Sequence, residues 1–396
     1  MNAKKIPFSG VGYKYSDDDI DVVVRAMRAE DTLTQGKYQF SFEKNFAKSV
    51  NVKHAFATSS AATAIELASI LFNVKKDDEI IIPAHTYAAS AYPFARRGGK
   101  IIWADIDSKE FTSSENEILK LITDKTKVIV VVHLYGSPVD ISKIVRVAKN
   151  KGIYVLEDCA QAIGASVQGV NVGTLGDAAI YSFQSHKNIS TLGEGGMLTF
   201  NNDAWAELIP GLRHNGHRPF KIDLDMYWSP AMSDVGFDIE GVWPHNFCLG
   251  EIQCALGEHL LSKIELVNAK RRERYLYALK STIDLHEIQW QFIPKHKISS
   301  HHLLPFKYIT SDYKTGADKV FKTLSEKYLI FPAKQYYPLY RYELFTKSGN
   351  GKAAVPITDD YYDNMVSLPF HHWMSDLDFE YLIESLRDCV LSLRKK

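Results

Sequence analysis

Four short stretches of this 396-residue sequence place reactive or anion-binding side chains directly after an apolar run. In an open parallel sheet ligands sit beyond the carboxyl ends of the strands, so these are the positions where chemistry is expected. The first, Ala57-Thr58-Ser59-Ser60-Ala61-Ala62-Thr63, leads small hydroxylated residues into a helical pattern that carries Ile65 and Leu67. Unpaired N–H groups at a helix start make a phosphate-sized anion site, although the same residues serve equally as plain N-caps. The second, Tyr154-Val155-Leu156-Glu157-Asp158-Cys159-Ala160-Gln161, runs a buried strand into two carboxylates. A carboxylate there can hold a protonated ring nitrogen, with Gln161 reaching the same ligand's edge, or it can cap a helix. The third places Lys187 after Tyr181-Ser182-Phe183 and just before Gly193-Glu194-Gly195-Gly196. An imine-forming amine needs that setting, close to backbone and partly desolvated, whereas an isolated lysine is ordinarily a solvated surface charge. The fourth, His85-Thr86-Tyr87, offers an aromatic ring that could cover a flat ligand or fill core.

Taken together, the four ends describe one ligand: a phosphate at a helix start, a planar ring under Tyr87, a ring nitrogen against Asp158 and an aldehyde on Lys187. Pyridoxal 5'-phosphate has those parts. On this reading Asp158 keeps the pyridine nitrogen protonated and strengthens the electron sink. Lys187 anchors the cofactor, is displaced by an incoming amine and then shuttles a proton as general base and acid.

The elements that must position these residues follow from the apolar pattern. Glu79–Pro83, Lys100–Trp103, Lys127–His133, Ile153–Leu156 and Ala178–Phe183 are β-branched runs with Gly, Pro or acidic residues at their ends, as strands buried on both faces require. Ile141, Ile144, Val145 and Ala148 mark the stripe of a crossover helix. The expected fold is α/β, a mostly parallel sheet between helices. The stretch from Arg213 to His245, rich in Gly, Pro, His and Trp, reads as a long excursion. Ile252, Leu256, Leu260, Ile264 and Val267 then space out one long helix, and a last helical pattern runs from Leu377 to Leu393. The chain is accordingly divided into a large domain over residues 1–245 and a smaller α+β domain over 246–396.

Lys and Arg total 47 against 47 Asp and Glu, so no net field draws the chain to nucleic acid or an anionic membrane. The four cysteines form no C-x-x-C pair and the opening MNAKKIPFSG lacks an apolar signal core, which favours the cytoplasm. The run around Val128 to Val132 is far short of the roughly 20 residues that span a bilayer, and no membrane segment is expected.

The sequence resembles the DegT/StrS sugar aminotransferases, a fold-type I group that depends on pyridoxal phosphate, over nearly its whole length. The resemblance rests on Thr34-Gln35-Gly36, Phe42-Glu43, His133-Leu134-Tyr135-Gly136, Glu157 to Gln161, Ser182-Phe183, Lys187-Asn188 and Gly193 to Gly196. It continues through Asn246, Glu251-Ile252-Gln253, Tyr337-Pro338-Leu339 and Ser367-Leu368-Pro369. It implies Lys187 as the cofactor's lysine, Asp158 at the pyridine nitrogen, Gln161 at the ring's oxygen edge and Tyr87 stacked on the ring. Ser182 and the backbone at Ala62 and Thr63 are implied to hold the phosphate. It also implies a homodimer, or a dimer of dimers, with sites shared between subunits and Asn246 reaching the neighbour's cofactor. Three departures stand out: Ala62 replaces a common threonine, Cys248 replaces a common basic residue, and the excursion containing Trp228 and Trp243 is long. A sister branch that dehydrates 4-keto-6-deoxy sugars has histidine for the lysine. Here the register to Asn188 and the glycines favours Lys187 over the adjacent His186, which is read as a neighbour of cofactor or substrate, or simply as a packed or solvent-facing histidine.

The leading expectation is transfer of an amino group from glutamate or glutamine to a keto sugar, by family analogy a nucleotide-linked 3- or 4-keto-6-deoxyhexose. A keto sugar phosphate or keto-cyclitol as acceptor is the second reading. A non-catalytic small-molecule-binding regulator is the third, against which stands the retention of Lys187 with Asp158. Arg213, Arg218 and Lys334 are candidates for substrate anions. A hydrolase lacks its G-x-S-x-G elbow, and no spaced metal-ligand cluster appears; His301 and His302 are adjacent and expected to point apart.

Overall fold

The computed structural model describes residues 4–29, 32–218, 234–235, 242–310 and 316–394. Its strands in chain order begin with β1 (His54–Thr58), β2 (Glu79–Pro83), β3 (Lys100–Ala104), β4 (Thr126–Val132) and β5 (Tyr154–Asp158). A small hairpin of β6 (Ser166–Val167) and β7 (Val170–Asn171) follows, then β8 (Ala178–Ser182) and β9 (Gly196–Phe200). The five runs expected as strands are β2, β3, β4, β5 and β8, and their ends move by at most two residues. The central sheet has the order β1-β9-β8-β5-β4-β2-β3. From β8 to β3 every neighbour is parallel, whereas β9 is antiparallel to both β8 and β1. The two reversals cancel, so β1 ends on the same edge as β5 and β8.

Period-two alternation sorts the apolar residues onto two faces. Ile80, Ile82, Val128 and Val130 join the core beneath a helix, α3 (Ala61–Leu71), while Ile81, Ile129 and Val131 pack with Ile144 and Ala148 of the helix Ser142–Lys151. Both faces are covered, which is why the central strands tolerate unbroken Ile and Val.

Several acidic residues of the sequence motifs serve the backbone. The helices α1 (Asp17–Arg28) and α2 (Lys37–Val50) precede β1. Gly36 opens α2 with no side-chain cap of its own, and the Glu251 carboxylate accepts instead from the N–H groups of Gly36, Tyr38 and Gln39 at 2.8 to 3.0 Å. Edge strand β1 is closed in a similar way. Glu43 accepts from Ala57 N at 2.8 Å, and Arg213 donates to Ala57 O at 2.7 Å and to Glu43 itself.

A second, antiparallel sheet of Ile288–Trp290, Leu304–Tyr308 and Met365–Leu368 packs against the helices Gly316–Tyr328 and Asp376–Arg394. The boundary expected between residues 245 and 246 is not a packing boundary. Helix Glu251–Leu261 lies on α1 and α2, with Leu256 and Leu260 in the cluster of Phe42 and Phe46. Leu339, Phe345 and Tyr361 join the core of the central sheet, while Ile6 belongs to the smaller core and bridges to Ile330. The single long helix expected across Ile252 to Val267 is two, Glu251–Leu261 and Ile264–Ser281. Ser262 at the break returns its hydroxyl to His259 O at 2.7 Å, the local competition that loosens a helix at serine. Among the described residues no helix is long and apolar enough to cross a membrane, and all four cysteines are free.

Breaking a buried ion pair by removing one partner leaves an uncompensated charge and costs about 3 to 5 kcal/mol. Arg213→Ala, which strands both Glu43 and the Ala57 carbonyl, is expected to lower unfolding free energy by about that much. Urea denaturation followed by circular dichroism measures it; an unchanged midpoint would show that the pair does not hold β1.

Candidate active site

A cavity of about 630 Å³ opens at the carboxyl edge of the sheet, a size suited to a small organic ligand. Asp158, Gln161, Ser182 and Lys187 line it together with Ser60, Ala61, Ala62 and Tyr87. The register explains the meeting: Asp158 is the last residue of β5, paired with Val132 on one side and Ile180 on the other, and Ser182 ends the neighbouring strand β8.

The Asp158 carboxylate is buried and fixed at both oxygens, accepting from Ser90 Oγ at 2.7 Å and from Ala160 N at 3.1 Å. Ser90 arrives on the 3-10 turn Ala88–Ser90, next to Tyr87. Gln161 is clamped as well, accepting from Tyr135 N and donating to Tyr336 Oη, each at 2.8 Å. Tyr87 is 63% exposed and meets Tyr336 edge-on, so its ring is available to a ligand.

Beyond β8 the chain turns back on the glycine-rich segment, with Phe183 N on Gly195 O and Ser185 N on Gly193 O, both at 2.9 Å. The N-terminal segment lies over this turn, Gly12 N donating to Ser185 O at 2.7 Å. A Cβ at Gly12 would overlap the carbonyl oxygens of His186 and Lys187, so only glycine allows the approach. Burial lowers the Lys187 ammonium to about 8, against the opposing pull of Asp158 and Glu194. The amine is therefore partly neutral in the ordinary working range, as a nucleophile must be.

At the start of α3, Ser60 and Thr63 form a reciprocal capping box: Thr63 N donates to Ser60 Oγ at 3.2 Å and Ser60 N to Thr63 Oγ1 at 3.1 Å. Thr63 is thus committed to the helix, which corrects its expected place among the anion contacts. The N–H groups of Ala61 and Ala62, the first two of the helix and both at the cavity wall, are the orphan donors. Gly196 lets this helix start approach β9, since a Cβ there would overlap the backbone of Ser60 and Ala61.

The substrate candidates separate clearly. His186 lines the cavity, and partial burial with the charge of Lys187 lowers its pKa. Arg213 does not; it is buried in the structural pair with Glu43. Lys334 also lies off the cavity, donating to Asp363 O at 3.0 Å beside the Tyr362 ring. Only the backbone of Arg218 is described, and Trp228 with most of the excursion lies outside the described residues. Asn246 is exposed and bridges to His214 without lining this chain's cavity. His301 and His302 do point apart: His301 stacks on Tyr275, and His302 faces the cavity. Sequence reasoning missed Ser90, Tyr336, Gln335 and the N-terminal Phe8 and Gly12 as cavity residues. Tyr336 had a signal in the adjacent motif Tyr337-Pro338-Leu339; the others had none short of the fold.

The donor set fits pyridoxal phosphate: a depressed lysine, a fixed carboxylate at a distinct strand end, an exposed aromatic ring and two free helix-start amides face one space. The model of the DegT/DnrJ/EryC1/StrS aminotransferase family matches residues 14–387, and the chain belongs to that family. It is 36% identical to the GDP-perosamine synthase of Caulobacter vibrioides over 245 residues, 62% of each chain. To the GDP-perosamine synthase of Escherichia coli O157:H7 it is 28% identical over 361 residues, 90% of this chain and 91% of that one. The solved structure of Helicobacter pylori PseC, an aminotransferase involved in the biosynthesis of pseudoaminic acid, superposes with a TM-score of 0.86 at 26% identity, covering 97% of this chain and 99% of that chain.

Only the neutral form of an amine is nucleophilic, so in protein stripped of cofactor the labelling of Lys187 by an amine-directed reagent should rise with pH and reach half its plateau near 8. Ordinary lysines reach theirs near about 10.4. Competitive labelling with peptide mass spectrometry checks this, and a Lys187 midpoint equal to that of surface lysines would refute the desolvated amine.

Proposed function

We propose that this sugar aminotransferase moves an amino group from glutamate or glutamine to a keto sugar, with pyridoxal phosphate as carrier. The acceptor best supported is a nucleotide-linked keto-deoxyhexose, because both perosamine synthases above are named for a GDP-linked amino sugar. The observation that carries the catalytic reading is the shared cavity of Lys187 and Asp158, which a passive binding protein would not need.

When bound, the cofactor supplies an aldehyde to carry nitrogen and an electron-withdrawing ring. The chain's own residues do the rest. Lys187, partly neutral, would hold the cofactor through its aldehyde carbon with loss of water and, once displaced by the incoming amine, would take a proton from the substrate carbon and return it. Asp158, with its oxygens fixed by Ser90 and Ala160, would accept from the ring N–H and keep that nitrogen protonated. Gln161 has one amide hydrogen left after Tyr336 and presents it to the ring's oxygen edge. The amides of Ala61 and Ala62, with the hydroxyl of Ser182, would hold the phosphate at the positive end of α3. Tyr87 covers the ring and displaces water from it. Asn246, exposed in one chain, completes the site of a second copy in a homodimer.

Borohydride reduction of the holoenzyme should leave the cofactor's mass on the peptide bearing Lys187, and Lys187→Ala should show neither the adduct nor transamination, a loss of several orders of magnitude. Incubation with glutamate or glutamine, then with keto sugars carrying or lacking a nucleotide, identifies donor and acceptor by mass spectrometry of the product. An adduct on another lysine, or no sugar product from amine-loaded enzyme, would reject the reading.

A further inference from the structure

The polar groups lining the cavity include one whose protonation is dictated by the backbone. Asn188, the neighbour of Lys187, donates through Nδ2 to Ser300 O at 3.0 Å and to Asn268 Oδ1 at 2.8 Å. Asn268 in turn donates through Nδ2 to Ile163 O at 2.9 Å. Backbone carbonyls can only accept, so Ser300 and Ile163 fix the orientation of both amides. Asn188 Oδ1 is therefore the atom that faces His302 Nδ1 at 3.2 Å, and as an acceptor it requires the proton on that nitrogen.

The consequence is at the other end of the ring. His302 Nε2 carries a lone pair and has no hydrogen-bond partner among the described residues, yet it is not among the buried atoms sealed from solvent without a partner. His302 is 3% exposed and lines the cavity, so the accessible nitrogen is open to the cavity. Burial and the charges of Lys187, Arg271 and His186 hold the ring well below the usual imidazole range, so it stays neutral. A neutral lone pair repels a carboxylate and accepts from O–H. This nitrogen therefore suits a ligand that donates from a hydroxyl group.

We infer that His302 is a substrate-binding residue whose Nε2 accepts a hydrogen bond from a hydroxyl of the sugar acceptor. The inference rests on the keto-sugar reading above and adds a residue and an atom to it. It assigns His302 to the sugar half of the reaction rather than a glutamate half-reaction, because the carboxylates of glutamate offer this nitrogen nothing to accept.

The test compares holoenzymes of the wild type, His302→Asn and His302→Gln in the two half-reactions separately. Asparagine keeps a donor for Asn188 and loses the distal acceptor; glutamine restores an acceptor near the position of Nε2. His302→Asn should raise KM for the keto sugar on the order of tenfold, the worth of one hydrogen bond to a neutral group, with a much smaller change in the amino-acid half-reaction. His302→Gln should recover most of the loss. Equal losses in both half-reactions, or a sugar KM unchanged in His302→Asn, would overturn the inference while leaving the keto-sugar reading intact. Wild-type enzyme that completes the amino-acid half-reaction and converts no keto sugar overturns that reading, and the hydroxyl partner with it.

Discussion

Lys187 must be dry enough to be a nucleophile and yet free of any carboxylate that would hold it as an ammonium. Asp158 and Glu194 lie within electrostatic reach and raise its proton affinity, but burial outweighs them and the amine settles near 8. A direct ion pair would reverse that balance. The architecture meets the requirement by separating acid and amine onto neighbouring strands. Asp158 ends β5, and Lys187 follows β8 after a turn, so the two face one cavity without touching. Ser90 and Ala160 occupy the carboxylate's oxygens from its own side.

The pair Glu157 and Asp158 shows how one strand serves two purposes. Successive side chains point to opposite faces. Asp158 therefore looks into the cavity, while Glu157 accepts from the N–H groups of Gly173, Leu175 and Gly176 at 2.7 to 2.9 Å and meets His133 Nε2 at 3.1 Å. Glu43 and Glu251 do similar work at β1 and α2. Of these four acidic residues, then, one is positioned for chemistry and three secure backbone around it.

The central sheet was legible because strands buried on both faces must be continuous in Ile and Val, and the four strand-end stretches did converge on one cavity. What escaped was anything set by distant packing. The antiparallel turn of β9 leaves no mark in a five-residue apolar run. The backbone at Thr63 was expected to meet an anion because it opens a helix, and only the capping box shows its N–H donating to Ser60 Oγ instead. Arg213 was drawn to the substrate by charge alone, whereas its partner Glu43 lies far away in sequence. Ser90 and His302 gain meaning from the atoms they face, which no spacing along the chain encodes.

The N-terminal segment adds a mechanical link. Ile6 is fixed in the smaller core beside Ile330, and Gly12 is pressed onto the backbone of the lysine turn. Only five residues, Pro7 to Val11, separate them. The smaller core and the reactive turn are thus joined through one continuous stretch of backbone, and the register of one is transmitted to the other.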